Sequence, residues 1–341
     1  MISATDKRAL GQADALLRRA GISLDAHLDF TAGLFDENGE MLATGSVFGP
    51  TLRCLAVAGE YRGMSLLNQV VSFLLEREVE RGFSQAFLYT KCDTARFFTE
   101  LGFYEIERVP DRLVFMTNRP RAFANYLGAL QRNAAIPGVT SAVVMNANPF
   151  TLGHLHLLER ASFESDVVHC FVVSEDASLV PYADRIRLVR EGSAHLGKVM
   201  VHPSGEYMIS NATFPSYFLK DDETVTRTHA QLDIRIFSHI AKALGITKRF
   251  AGEEPYSGLT RIYNEEMARL LPEYGVQFIQ IPRATAYQQV VSASVVRRMI
   301  HDGNTEDIRR FVPYTTYQYF QSEAGRTVAE RIRRTERVEH D

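Results

Sequence analysis

From Ser141 to Ile281 short apolar strands alternate with longer helical stretches, and that rhythm leaves few folds open to the chain. Ser141-Ala-Val-Val-Met145 reads as a buried strand. A helix from about Gly153 to Phe163 follows, then strand Val167–Val173, helix Tyr182–His195 and strand Val199–His202. Helix 223–244, strand Arg249–Gly252, helix Leu259–Leu271 and strand Gln277–Ile281 continue the pattern. Strands joined through helices predict an α/β architecture with a mostly parallel, doubly wound, Rossmann-like sheet. From Ser292 the chain reads as helical. Its last stretch mixes Arg326, Arg331, Arg333, Arg334 and Arg337 with Glu330, Glu336 and Glu339, the pattern of a solvated helix face.

The front of the chain has a different grammar. A helix is expected over 3–20, capped by Ser3 or Thr5, with Leu10, Ala13, Leu16 and Leu17 as its apolar stripe. Phe30–Phe35 and Met41–Phe48 read as strands joined by a turn containing Asn38-Gly39. Strand Leu52–Ala58, helix Gly63–Arg81, strand Phe83–Thr90 and helix Thr94–Leu101 follow, the last ended by Gly102. A hairpin of Tyr104–Val109 and Arg112–Met116 around Pro110-Asp111 closes this α+β part. Pro120, Pro137 and Gly138 then flank a short helical stretch, Ala122–Gln131. The reading is a domain over 1–118, a linker over 119–136 and a second domain over 137–341.

Composition excludes several classes. Over 341 residues the formal charge is −3, which gives no electrostatic footprint for nucleic acid or an acidic membrane. No apolar run reaches membrane-spanning length, and Met1–Leu10 lacks an apolar signal core, so a cytoplasmic protein is expected. Cys54, Cys92 and Cys170 are far apart and form no C-x-x-C pair. They read as small hydrophobes rather than as a disulfide framework or metal site.

The first chemistry-bearing segment is Asn146-Ala-Asn-Pro-Phe-Thr-Leu-Gly-His154, directly after a strand. Parallel sheets bind ligands at the carboxyl ends of their strands, and the N–H groups at a helix start can hold an anion. Gly153 would let backbone approach a phosphate, and Thr151 and His154 add side-chain donors. Such donors suit attack at phosphorus, where charge grows on the phosphate oxygens. His156 falls elsewhere on the helix and reads as structural or solvated. The second segment is Val291-Ser-Ala-Ser-Val-Val-Arg297: Ser292 or Ser294 can cap a helix, with Arg297 near its first turn. Two helix starts could then clasp one triphosphate.

Thr151-Leu-Gly-His154 with Ser292-Ala-Ser-Val-Val-Arg297 resembles the paired signatures of the T/H-x-G-H nucleotidyltransferase superfamily. The resemblance implies that Asn148, Thr151, Gly153 and His154 meet the nucleotide and that His154 is catalytic. It further implies that Ser292, Ser294 and Arg297 hold the β,γ-phosphates of ATP, usually with Mg²⁺.

In the front domain, Glu60-Tyr61-Arg62-Gly63-Met64-Ser65 joins a strand to a helix and could present backbone N–H groups to a pyrophosphate. With Phe97-Phe98-Thr-Glu-Leu-Gly102-Phe103 it resembles the GCN5-related N-acetyltransferase (GNAT) fold. That likeness implies that Arg62, Gly63, Met64 and Ser65 grip a coenzyme-A-like arm. Phe98 stands where many such enzymes carry a tyrosine acid, and a phenyl ring has no proton to give. Arm recognition without ordinary acetyl transfer fits better.

A GNAT-like front followed by a nucleotidyltransferase domain resembles the citrate lyase ligase family over essentially the whole chain. Tyr182–Arg190, Ala212–Tyr217, Gly252–Pro255 and Tyr263–Met267 add to the likeness. It implies acetate activation by ATP to acetyl-adenylate. Transfer to the thiol of a dephospho-coenzyme-A-derived group on the citrate lyase acyl carrier subunit follows, with AMP and diphosphate released. Other readings stay open: a plain adenylyltransferase making a dinucleotide, the equivalent ligase for a malonate decarboxylase carrier, an acetyltransferase with an ATP-binding regulatory domain, or a nucleotide-sensing module. Arg185 and Arg187 could reach phosphates or the adenylate but read rather as surface arginines; Glu253 and Glu254 could touch ribose or metal, and read equally as solvent-exposed acids.

Overall fold

The computed structural model describes residues 6–61, 65–132, 137–174, 178–208, 214, 222–253, 258–286 and 289–335. By contact the chain divides into two compact units, Met1–Asn125 with Phe214–Leu232, and Tyr126–Thr213 with Asp233–Asp341.

In the first unit α1 (Lys7–Arg19) is capped by Asp6, whose carboxylate accepts the Ala9 N–H at 3.0 Å. Ser3 and Thr5, the expected caps, lie outside the described residues. The predicted apolar stripe is correct at Ala13, Leu16 and Leu17, all buried. Strands β1 (Phe30–Phe35), β2 (Met41–Phe48) and β3 (Thr51–Val57) form an antiparallel meander. Then come α2 (Leu66–Glu80), β4 (Phe87–Thr90), α3 (Ala95–Glu100) and the hairpin β5 (Tyr104–Val109) with β6 (Leu113–Thr117). The sheet order is β1-β2-β3-β4-β6-β5. Its one parallel junction, β3 with β4, is joined only at Thr51–Phe87 and Leu52–Leu88. A bulge gives the reason. Ser46 faces Arg53 and Thr44 faces Ala56, so two residues of β3 oppose Gly45 alone, and Cys54 takes φ +51. An extra residue bends a strand, here just beyond the last rung shared with β4.

The expected strand Phe83–Thr90 is shorter than predicted. Gly82, at φ +93, and Phe83 close α2 with bonds back to Val79 and Glu78. Two further backbone groups are taken by side chains: Asn118 accepts the Ala86 N–H and Arg119 donates to the Ser84 carbonyl. The ladder therefore begins only at Phe87.

Helix α4 (Ala122–Arg132) fills most of the expected linker. The second unit is a five-stranded parallel sheet ordered β11-β10-β7-β8-β9. The chain starts in the middle, at β7 (Thr140–Met145), and winds one way through α5 (Leu152–Phe163), β8 (Val167–Val172), α6 (Tyr182–Ser193) and β9 (Val199–Pro203). Helix α7 (Asp222–Leu244) returns it to the other side of β7, where β10 (Ile246–Gly252), α8 (Gly258–Leu270) and β11 (Gln277–Ile281) follow. Every residue of β8 is buried, as a strand covered on both faces demands. The doubly wound reading is therefore correct. β10 starts three residues earlier than the predicted Arg249, because Gly245, at φ +66, ends α7 and Ile246 pairs at once with Thr140.

Beyond β11 a two-stranded ribbon, β12 (Thr285–Ala286) with β13 (Gln289–Val290), precedes α9 (Ala293–His301), α10 (Tyr314–Gln321) and α11 (Glu323–Arg334). On α11 Val328, Ala329 and Ile332 are buried while Arg326, Glu330, Arg331, Arg333 and Arg334 are exposed, the solvated face expected of mixed charges. Among the described residues no helix is long and apolar enough to cross a membrane.

Candidate functional site

Strand order reverses between β7 and β10, so the connections leaving their carboxyl ends run in opposite directions and open a crevice. The segment Asn146–His154 leaves β7 there. Its shape is set by Arg185, which is fully buried and donates to the carbonyls of Asn146, Val173 and Val180 and to the Asn146 side chain. Arg185 is thus not the surface arginine expected; a buried guanidinium needs acceptors, and loop carbonyls supply them. Ala147 takes φ +54 and the Asn148–Pro149 bond is cis. Asn148 is buried, and its side-chain oxygen accepts the Val180 N–H at 2.9 Å. Arg187 does lie at the surface, paired with Asp184 and Glu191.

Thr151 caps α5, and its capping partner is His154. The Thr151 N–H donates to His154 Nδ1 at 3.1 Å, and the Thr151 hydroxyl lies 2.9 Å from the same nitrogen. A nitrogen that accepts a backbone N–H carries a lone pair, so the neutral ring must hold its proton on Nε2. Burial, then Arg283 and Arg297, push the His154 pKa down to about 4. All three causes act in one direction, so the imidazole is neutral at pH 7 and offers Nε2–H as a fixed donor.

Helix α9 starts at Ser292, whose hydroxyl accepts the Val295 N–H and lies 3.0 Å from the Ser294 hydroxyl. The two helix starts meet: a Cβ on Gly153 would come within 2.7 Å of the Val291 carbonyl oxygen. The glycine thus makes room for the backbone before α9. Nor are all the first N–H groups of α5 open. Leu152 donates to the Phe311 carbonyl and His154 to Thr151. No described residue takes the N–H of Gly153, Ala293 or Ser294. Arg297 is buried, and its Nη1 donates to the Asn148 carbonyl at 2.6 Å, tying α9 to the β7 segment.

Thr151, Gly153, His154, Ser292, Ser294, Asn148 and Arg297 therefore lie in one chain of contacts. Arg62, Gly63, Met64 and Glu254 lie outside the described residues. Ser65, exposed and at φ +58, precedes α2 without a side-chain cap bond. Glu253 is exposed, its N–H bonded to the Ile281 carbonyl. Phe98 is a core residue packed edge-on against Phe103, and His156 is partly buried on α5.

Sequence reasoning missed Arg283, which follows β11 by two residues and acts electrostatically on His154. The available signal was its type and place, a basic residue just past the end of a parallel strand. Among the described residues no three His, Cys, Asp or Glu side chains gather as metal ligands. A magnesium ion here would have to arrive with nucleotide phosphates and be held chiefly by their oxygens, since the described residues offer it no protein cage.

The family model of the citrate lyase ligase C-terminal domain matches residues 140–320. The chain is 36% identical to a [citrate [pro-3S]-lyase] ligase of Klebsiella pneumoniae, covering 92% of this chain and 93% of that one. To the enzyme of the same name from Escherichia coli K12 it is 31% identical, over 94% and 93%. Among solved structures, an aminoglycoside 6'-N-acetyltransferase complexed with coenzyme A aligns with 34% of this chain and 96% of its own, at 14% identity and TM-score 0.30. A bifunctional NMN adenylyltransferase/ADP ribose pyrophosphatase from Francisella tularensis aligns with 57% and 52%, at 13% identity and TM-score 0.35. On the strength of the full-length relatives and the matching domain model, the chain belongs to the citrate lyase ligase family of enzymes.

Proposed function

We propose that this enzyme activates citrate lyase by acetylating the thiol of the dephospho-coenzyme-A-derived group on its acyl carrier subunit. Acetate and ATP first form acetyl-adenylate and diphosphate; the thiol then displaces AMP. In the first step a carboxylate oxygen bonds to the α-phosphorus, the bond to the bridging oxygen breaks, and its electron pair leaves with diphosphate. No proton has to move. In the second the thiol sulfur bonds to the acetyl carbon, the carbon–oxygen bond to AMP breaks, and the thiol proton is lost to solvent.

The observation that carries this reading is the neutral His154, fixed as an Nε2–H donor where the starts of α5 and α9 meet. Charge that develops on α-phosphate oxygens is best met by donors already in place, worth roughly 3–4 kcal/mol each. Thr151, Ser292, Ser294 and the open N–H groups of Gly153, Ala293 and Ser294 surround that donor as nucleotide ligands, and Mg²⁺ would offset phosphate charge. Asn148 and Arg297 hold the segment that carries them. Residues 1–118 serve in this reading as the arm-recognising domain, through Arg62, Gly63, Met64 and Ser65, and 137–341 as the adenylating domain. β3 pairs with β4 only at Thr51 and Leu52, and Phe98 supplies no acid for a transferase of the usual kind.

The test is ATP–diphosphate exchange without the carrier. Exchange that depends on acetate is expected. Exchange that ignores acetate but requires a phosphorylated acceptor would replace this reading with a dinucleotide-forming one.

A further inference from the structure

Helix α6 supports the segment that carries His154 at two points. Arg185 donates to the carbonyl and the side chain of Asn146. Gly192 follows about two helical turns later on the same face, and both residues are buried. A Cβ on Gly192 would come within 2.6 Å of Phe150 Cε1 and 2.9 Å of its Cδ1. Carbon atoms rest about 3.5–4.0 Å apart, so the bare backbone of a glycine is what leaves Phe150 its place. Inside a helix glycine is otherwise a loss against alanine.

Phe150 is fully buried and shares one apolar cluster with Ile186 and Val189 of α6 and with Val296 and Ile300 of α9. Its ring lies nearly parallel to the His154 imidazole, at 17° with ring centres 5.9 Å apart. That separation falls within the range of offset stacking. His154 keeps part of its surface open, so its ring is backed rather than sealed. The Thr151 N–H at Nδ1 fixes the tautomer and one edge of the imidazole. A hydrogen bond alone tolerates some tilt, and a flat neighbour limits it. Phe150 precedes the cap Thr151, so it stands outside the helix that carries His154. What abuts it at Gly192 is the backbone of a different helix, α6.

We propose that Phe150 is a positioning residue for His154, seated between the imidazole and the gap that Gly192 leaves in α6. The inference rests on His154 acting in adenylation and adds what aims its Nε2–H. A tilted donor still leaves the other nucleotide ligands in place. It fails where charge grows on the α-phosphate, so the loss falls on kcat rather than on KM.

The experiment uses the full chain and compares wild type, Phe150→Leu, Gly192→Ala and Val328→Ala. Val328 belongs to the same apolar cluster from α11 and controls for lost packing. Acetate-dependent exchange gives kcat and the KM for ATP, and melting midpoints report the fold. Phe150→Leu and Gly192→Ala should each lower kcat about tenfold or more, with KM within about twofold of wild type. Val328→Ala should lower the midpoint and leave kcat within about twofold. A kcat in Phe150→Leu no lower than in Val328→Ala overturns the assignment, and Gly192→Ala is judged by the same comparison if Phe150→Leu does not fold. Wild type supplies an arm that needs no variant. Protein labelled in its phenylalanine and histidine rings should show nuclear Overhauser contacts between Phe150 and His154, and their absence overturns the stack. Absence of exchange in wild type sinks the adenylation reading instead, and the ring contacts still decide whether Phe150 backs His154.

Discussion

Gly153→Ala separates a site built on two abutting helix starts from a glycine that merely happens to begin a helix. Away from crowding, alanine for glycine in a helix stabilises by up to about 1 kcal/mol, less in the first turn. Here the added methyl would sit 2.7 Å from the Val291 carbonyl oxygen. Backbone stands on both sides of that contact, so no side chain can swing away. One helix start must retreat by about half an ångström, an overpacking that costs roughly 1–3 kcal/mol. The steric term exceeds the propensity term, and a net loss of about 1 kcal/mol or more is expected. The functional loss should be larger, because a displacement of about 1 Å at a reacting centre costs about 100-fold in rate. Gly128 supplies the control. It lies inside α4, and a methyl there would meet only the far end of Arg132 at 3.8 Å. Gly128→Ala should therefore raise stability by about 0.5–1 kcal/mol. Urea unfolding midpoints and acetate-dependent exchange measure both variants. A Gly153→Ala protein as stabilised as Gly128→Ala, with exchange within twofold of wild type, would refute the abutment.

His154→Ala should cut exchange by about 100- to 1000-fold while circular dichroism stays native; near-normal exchange would remove the ring from the chemistry. Because His154 is neutral down to about pH 4, exchange should show no inflection near pH 6.5 belonging to it. An inflection there that vanishes in His154→Gln would contradict a neutral donor. The buried pair His169 and His202, with ring nitrogens 2.9 Å apart, should make the fold acid-sensitive. Burial lowers both pKa values from 6.5 to about 4, so between those limits the unfolded chain binds more protons and stability falls as pH falls. The loss should total roughly a few kcal/mol by pH 4 and level off below it. His169→Phe with His202→Phe should flatten the urea midpoint between pH 7 and 5, and an unchanged slope would acquit the pair. Arg185→Met should lower stability by roughly 3–5 kcal/mol, since three loop carbonyls lose their donor. A urea midpoint near wild type would show that those carbonyls find other partners.

What the sequence disclosed was whatever local chemistry controls. The bounds of β1, β2 and β11 match their reading residue for residue, because turn chemistry such as Asn38-Gly39 and apolar runs act over a few positions. The shortfall at Phe83–Ala86 has the opposite origin. Those residues have strand propensity, but some of their backbone groups are claimed by Asn118 and Arg119, more than thirty positions away. The ribbon before α9 was invisible because two-residue strands have no period to detect. In the site, Thr151 and His154 were legible as a helix start, yet the tautomer follows from a backbone hydrogen bond that no motif encodes. Arg185 and Arg297 find main-chain carbonyls 39 and 149 residues away, and carbonyls leave no mark in a sequence. Arg185 read as a surface charge for the same reason that Arg283 was overlooked: the type of a side chain does not say where it ends.

That distinction organises the crevice. Guanidinium groups that donate to main-chain carbonyls satisfy those oxygens inside the protein. Arg185 does this for the stretch after β7, and Arg297 ties the same stretch to α9. Next to that stretch stands His154, a neutral imidazole with arginine charge acting on it. In the proposed reaction that ring would donate to a phosphate in transit, but it is poorly equipped to remove a proton, since a pKa pushed down to about 4 makes it a weak base and its Nδ1 is already occupied. The chemistry best matched to it uses a nucleophile that is ionised before it arrives. A carboxylate, with an ordinary pKa near 4, meets that condition throughout the neutral range. In the proposed reaction the protein would contribute placement and fixed dipoles, and the electron pair of the breaking bond would leave with diphosphate.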